Sequence, residues 1–237
     1  MKKIFLFLVL IFINLSPLIL PQKKPLDLAI IGEPLKDFIL PLYHGGEFQL
    51  SKNGGKNILL VFPRGYYDKD VWCDICAYEY MDLVDEFHNK KLAEKYNLDI
   101  VIVLPYDEIT IDKWLIDMPE VYASLEAGKH LDTTANENSR TWVNFAKRHY
   151  PKTFDVPKGE TPNPFIILVD EKHELSERLD IFRTEWWGTT VNQNIPAFIL
   201  LDDNSTVVFK YISQHTIDRP TMKYLTTIMD GLLIKSD

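Results

Sequence analysis

The chain contains two cysteines, and they stand three positions apart in Val71-Trp72-Cys73-Asp74-Ile75-Cys76. A disulfide between them closes so small a ring that it constrains the unfolded chain by only about 2 kcal/mol, less than a long-range crosslink would. The spacing suits reversible chemistry better. Either thiolate can attack a mixed disulfide held on the other without any movement of the backbone. That chemistry needs a stabilised thiolate, which the free N–H groups and the dipole at a helix N-terminus can supply.

The flanking residues provide such a helix. Ala77, Tyr80, Met81, Val84 and Phe87 recur at helical spacing after the pair, with Asp82, Asp85, Glu86 and Asn89 on the other face. Ahead of it, Asn57-Ile-Leu-Leu-Val-Phe62 is a short apolar run of buried-strand type, ended by Pro63 and Gly65. The order strand, loop, C-x-x-C, helix puts Cys73 at the helix mouth. It is therefore expected to be the more exposed thiol and to have a lowered pKa.

The rest of the chain frames this unit. Met1-Lys2-Lys3 followed by the wholly apolar Ile4 to Ile13 reads as a secretory signal, or as an N-terminal membrane anchor if it is not cleaved; residues 1–22 are assigned to it. The protein is thus expected to be exported, periplasmic or extracytoplasmic. What remains, about residues 27–235, suits one domain with a full core. A net charge of −8 argues against nucleic acid or an anionic membrane surface as partner. The segment 37–50 reads as a hairpin turning at His44-Gly45-Gly46. Leu98–Leu104, Phe165–Val169 and Ala197–Leu201 read as further buried strands, and the first of these makes a parallel βαβ unit with residues 57–62. Between them, residues 107–163 form an insertion with helical pieces at 111–118 and 138–149, broken by Pro119, Gly128, Pro151, Pro157 and Pro162. Thr206–Ile212 and an apolar helical stripe through Met222, Leu225, Ile228, Met229 and Leu232 close the chain.

Several of these segments carry a family resemblance. Ile31-Gly32-Glu33-Pro34, Phe38-x-Leu40, Gly46, Leu50 and Gly55-Lys56 before an apolar strand resemble the opening of the redoxin group. Phe62-Pro63-Arg64-Gly65-Tyr66 leading to Trp72-Cys73-x-x-Cys76 resembles its peroxiredoxin-like, AhpC/TSA-type members that carry C-x-x-C, with extra residues at about 67–71. The resemblance implies an α/β thioredoxin-like fold: a central mixed sheet flanked by helices, with an N-terminal β-hairpin extension and the helical insertion. It also implies that Pro196, in Ile195-Pro196-Ala197-Phe198, is a cis-proline facing the cysteines.

Two enzymatic readings follow from it. In thiol–disulfide exchange with protein thiols or disulfides, Cys73 attacks first and Cys76 resolves, Trp72 flanks the nucleophile, and Pro196 offers an edge for the partner's backbone. In a peroxiredoxin-like thiol peroxidase acting on hydroperoxides, Cys76 takes the peroxidatic place and Cys73 that of the family's Thr or Ser. The family's arginine falls on Pro196, which leaves Arg64 or Arg183 to compensate. Two peroxide-site elements are thereby lost and two exchange elements gained, so exchange is the leading reading, with a thiol reductant or oxidant as second partner. Glu79 is the acid nearest the pair on the helix, a solvated first-turn carboxylate by ordinary expectation and a proton carrier in the sharper reading. No cofactor is expected. A metal site lacks the four ligands at recognisable spacing that zinc requires, and the six histidines are scattered. A stable local disulfide, or a non-catalytic binding module on the same fold, is the bland alternative.

Overall fold

A computed structural model describes residues 26–156 and 161–234. The expected signal or anchor segment, residues 1–22, lies outside the described residues. The chain enters through a hairpin, β1 (Ile39–Pro41) with β2 (Glu47–Gln49), in the register Leu40 opposite Phe48. The buried strand β3 (Asn57–Phe62) leads to a small hairpin, β4 (Tyr66–Asp68) and β5 (Val71–Trp72). Helix α1 (Asp74–Asn89) follows, then short α2 (Leu92–Tyr96) and β6 (Leu98–Leu104). Two longer helices, α3 (Glu108–Gly128) and α4 (Glu137–His149), occupy most of the insertion. The remaining elements are β7 (Ile166–Val169), α5 (Glu174–Arg178), β8 (Phe182–Arg183), β9 (Gln193–Asn194), β10 (Ala197–Leu201), β11 (Val207–Ile212) and α6 (Met222–Leu233).

Five strands form one mixed sheet in the order β11-β10-β3-β6-β7. The three central and edge strands β3, β6 and β7 run parallel, while β10 and β11 run antiparallel to their neighbours. This is the α/β, thioredoxin-like architecture that the resemblance implied. The two-residue period of a strand sorts its side chains between two cores. Leu59 and Val61 face the large core under α1, α3 and α6, whereas Ile58, Leu60 and Phe62 face a smaller one under the N-terminal hairpin and α5. Each such side chain, removed from water, contributes on the order of 2 kcal/mol, which makes β3 a firm base for the loop that follows it.

Two elements differ from expectation. Pro119 does not break α3, which runs through it for 21 residues. Trp114, Met118, Tyr122 and Leu125 lie buried along one stripe of that helix, and this packing outweighs the hydrogen bond that the proline removes. The extra residues near 67–71 form the β4–β5 hairpin rather than an open loop, with Tyr66 opposite Trp72. Those two rings stack at 3.6 Å, and Tyr106 packs edge-on against both.

Lys152 ties the insertion to α1. Its ammonium lies 2.7 Å from Asp82, 3.1 Å from Asp85 and 2.8 Å from Glu86, three carboxylates close enough together to hold a cation. Its backbone N–H donates to the Tyr78 hydroxyl, and its carbonyl accepts from Lys129. The segment after α4 is thereby laid along the outer face of α1. No helix among the described residues is long and apolar enough to cross a membrane.

Gly65 is the pivot of the cysteine loop. Its φ is +77°, its carbonyl accepts from the Cys73 N–H at 2.9 Å, and an added Cβ would collide with the Tyr106 ring. The clash and the left-handed backbone together predict that Gly65→Ala destabilises the protein by about 3 kcal/mol, read from the urea midpoint at unchanged slope. A change below about 0.5 kcal/mol would show that the loop is not held this way.

Candidate active site

Cys73 is the N-cap of α1, at φ −70° and ψ 111°, and its Sγ accepts the Cys76 N–H at 3.3 Å. A thiol thus takes the position usually given to Ser, Thr or Asp. Cys76 lies in the first turn on the inward side. Both are sealed from solvent, with 3% of Cys73 and 2% of Cys76 exposed. The expectation that Cys73 would be the open thiol is corrected: it lies in the large core beside Trp72, with its N–H held by the Gly65 carbonyl. Trp72 is itself buried, stacked on Tyr66, and its indole N–H donates to Asp117 at 2.8 Å.

The cation beside the pair is Arg219, in the loop before α6, which the sequence reading did not single out. Its side chain is only 8% exposed, and Nε lies 3.5 Å from Glu79 Oε2. Arg183 turns instead to Asp180. Arg64 is buried and committed to scaffolding: Nε donates to Gln193 at 2.7 Å, Nη2 donates to Thr189 at 2.8 Å, and the guanidinium lies over the Trp186 ring. Its backbone amide nevertheless supports the Cys76 sulfur. Arg219 therefore joins Arg64, whose charge also acts on both sulfurs, in the electrostatic position for which Arg64 and Arg183 were the candidates.

The cis-proline expected at Pro196 is also corrected. No peptide bond among the described residues is cis. The Ile195 N–H donates to the Ile181 carbonyl, and the Pro196 carbonyl accepts from Ser213 N–H at 2.9 Å, so the chain enters β10 already paired. Pro196 is buried and its carbonyl is taken, and it does not present the open edge expected for a partner's backbone. It remains close to the cysteine loop by register, since Ala197 pairs with Phe62 and the Asn194 N–H donates to the Arg64 carbonyl.

The electrostatics separate the two sulfurs. Burial pushes the Cys76 thiol up, but the hydrogen bond from Cys73, the Arg219 charge and the Arg64 amide outweigh it and bring Cys76 down to about 6. Cys73 moves the opposite way, raised by its bond to Cys76 and by burial. The pair shares one proton at neutral pH, held on Cys73. Burial raises the Glu79 carboxyl to about 8 against the pull of Arg219. Its only link to the guanidinium is long, and Oε1 has no hydrogen-bond partner. One buried cation facing two acids stabilises one anion, and the better-supported group is the Cys76 sulfur. Burial acts against the charge of Arg219, yet Glu79 and the two cysteines raise its pKa.

The chain belongs to the AhpC/TSA family, whose model matches residues 31–210. It is accordingly a redox enzyme, an oxidoreductase in the general sense. The AhpC of Mycobacterium bovis superimposes with a TM-score of 0.51 at 15% identity, covering 86% of this chain and 93% of that one. A mutant of the peroxiredoxin 6 of Arenicola marina gives 0.50 at 13% identity, over 84% and 71%. At such identities the likeness is one of fold. No curated protein matches the chain in sequence.

A pH titration of thiolate ultraviolet absorbance should therefore show one thiol ionising near 6 and the second only at strongly alkaline pH. Arg219→Met should raise the first midpoint by about two units, and an unchanged midpoint would remove Arg219 from the account.

Proposed function

We propose that the protein is a thiol peroxidase in which Cys76 is the attacking thiolate and Cys73 resolves it in place. The observation that carries this is the buried Arg219 guanidinium, which brings the lower-pKa sulfur to position 76. The Cys76 thiolate attacks the terminal oxygen of a hydroperoxide. An S–O bond forms, the O–O bond breaks, and the leaving alkoxide or hydroxide takes a proton from Glu79, which holds one at neutral pH. The Cys73 thiol then attacks the Cys76 sulfenic acid. An S–S bond forms, water leaves, and the sulfurs have given two electrons to the peroxide. Since Cys73 already lies over the Cys76 amide, this second step needs no unwinding of α1. Burial suits a small peroxide better than a folded protein's disulfide.

Exchange with a protein disulfide led by Cys73 is the second reading, and the N-cap position of Cys73 at the helix mouth supports it. That reading asks Cys73 to act as a thiolate toward a folded partner, whereas here Cys73 is buried beyond the reach of a folded chain and keeps its proton longer. Export, carried by the charged start and apolar run of residues 1–22, is part of the proposal under either reading.

Mixing the reduced protein with hydrogen peroxide should consume one equivalent and yield the Cys73–Cys76 disulfide. Cys76→Ser should slow this by at least about a thousandfold, while Cys73→Ser should still react once and stop at a sulfenic acid that dimedone captures. Fast reaction of the Cys76→Ser protein would overturn the assignment. The rate should rise as pH passes about 6, where Cys76 loses its proton, and fall past about 8, where Glu79 loses the proton it donates. Glu79→Gln should lower the plateau and abolish the alkaline fall, and a fall that persists in this variant would exclude Glu79.

A further inference from the structure

A cavity of about 260 Å³ opens on the outer side of α1, between the segment after α4 and the loop before α6. Arg219, whose charge lowers Cys76, and Glu79 stand in its wall, so a single side chain links the cavity to the reactive pair. Buried donors of two residues there lack a hydrogen-bond partner. Arg219 Nη2 has no hydrogen-bond acceptor, and neither does the hydroxyl of Tyr150, a residue 5% exposed. Tyr150 also lies in the field of Cys73. Lys223 adds a cation at the exposed mouth, and the acids of the rim, Asp82 and Glu86, are already held by Lys152. Unmet donors cost free energy that an acceptor recovers. The need is greatest when the pair is oxidised, because a disulfide carries no charge and Arg219 then loses the thiolate it faces.

We propose that this cavity receives the reductant of the oxidised enzyme, and that the reductant is a small thiol bearing a carboxylate. The proposal rests on the reading of the pair as one that cycles through a disulfide. The carboxylate accepts from Arg219 and Tyr150 while the thiolate attacks Cys73. A bond forms between the reductant's sulfur and Cys73, the Cys73–Cys76 bond breaks, and Cys76 leaves as the thiolate that Arg219 stabilises, as expected of the lower-pKa leaving group. A second molecule of the same thiol attacks the mixed disulfide, freeing Cys73 and carrying off the oxidised dimer. The two thiols supply the two electrons.

The test uses the full chain with its pair oxidised by diamide, so that it does not depend on reactivity toward peroxide. Reduction by mercaptoacetate should saturate, whereas reduction by mercaptoethanol, of similar size and uncharged, should rise linearly with concentration. Acetate should compete with mercaptoacetate, and chloride at equal ionic strength should not. Tyr150→Phe should raise the half-saturating mercaptoacetate concentration about fivefold, the worth of one hydrogen bond, and leave the mercaptoethanol line unaltered. Linear dependence on both thiols, with acetate acting no differently from chloride, would overturn the proposal. So would a Tyr150→Phe protein with the same half-saturation as the parent. If instead the pair ignores peroxide but these results hold, the peroxidase reading fails and the reductant site stands.

Discussion

The site is organised around the buried positive charge of Arg219, with the scaffolding guanidinium of Arg64 close enough to act on the same two sulfurs. Arg219 is nearly sealed from water and faces a thiol pair and a carboxyl group, and a buried cation is costly unless an anion accompanies it. That need fixes the protonation pattern of its neighbours. Cys76 gives up its proton, whereas Cys73 and Glu79 keep theirs. A nucleophile, a resolving thiol and a proton donor are thus distinguished by the groups around them, Arg219 foremost among the charges, although all three sit within the first two turns of the same helix.

The scaffold serves that arrangement from both sides. On one side the core strand β3 ends in Pro63-Arg64-Gly65, and the Gly65 carbonyl, the Tyr106 ring and the Tyr66–Trp72 stack pin the start of α1. On the other, α6 is N-capped by Thr221 and docks beside α1, so the residues just ahead of it bring Arg219 to the helix. The insertion contributes through Lys152, which binds three carboxylates of α1 and sets Tyr150 over the cavity. The network that holds the thiolate and the wall of the cavity beyond it are therefore built from the same few side chains.

Much of this was legible from the sequence, because it depends on local patterns. The strands at 57–62, 98–104 and 197–201 are short apolar runs that can only be buried, and C-x-x-C before a helical stripe locates the sulfurs at a helix start. What was missed depends on distant packing. Arg219 is followed by Pro220, and that pair reads simply as the start of a helix; nothing near it in sequence points to the cysteines. Arg64 stands in the right loop for a charge partner and its charge reaches both sulfurs, while its N–H groups are taken by Gln193 and Thr189. The burial of Cys73 goes with the aromatic packing of the hairpin at 66–72, whose stacking no periodicity reveals. Pro196 carries a family expectation that the pairing of Ile195 and Ser213 does not meet.

The chemistry of the site depends on which sulfur holds the negative charge, and competition for a small alkylating agent reads that directly. Reduced protein treated with less than one equivalent of iodoacetamide at neutral pH, then digested and analysed by mass spectrometry, should carry the label on Cys76, with Cys73 modified only after the first site is filled. Label found first on Cys73 would contradict the account, because it would mean that the helix mouth, and not Arg219, governs the pair.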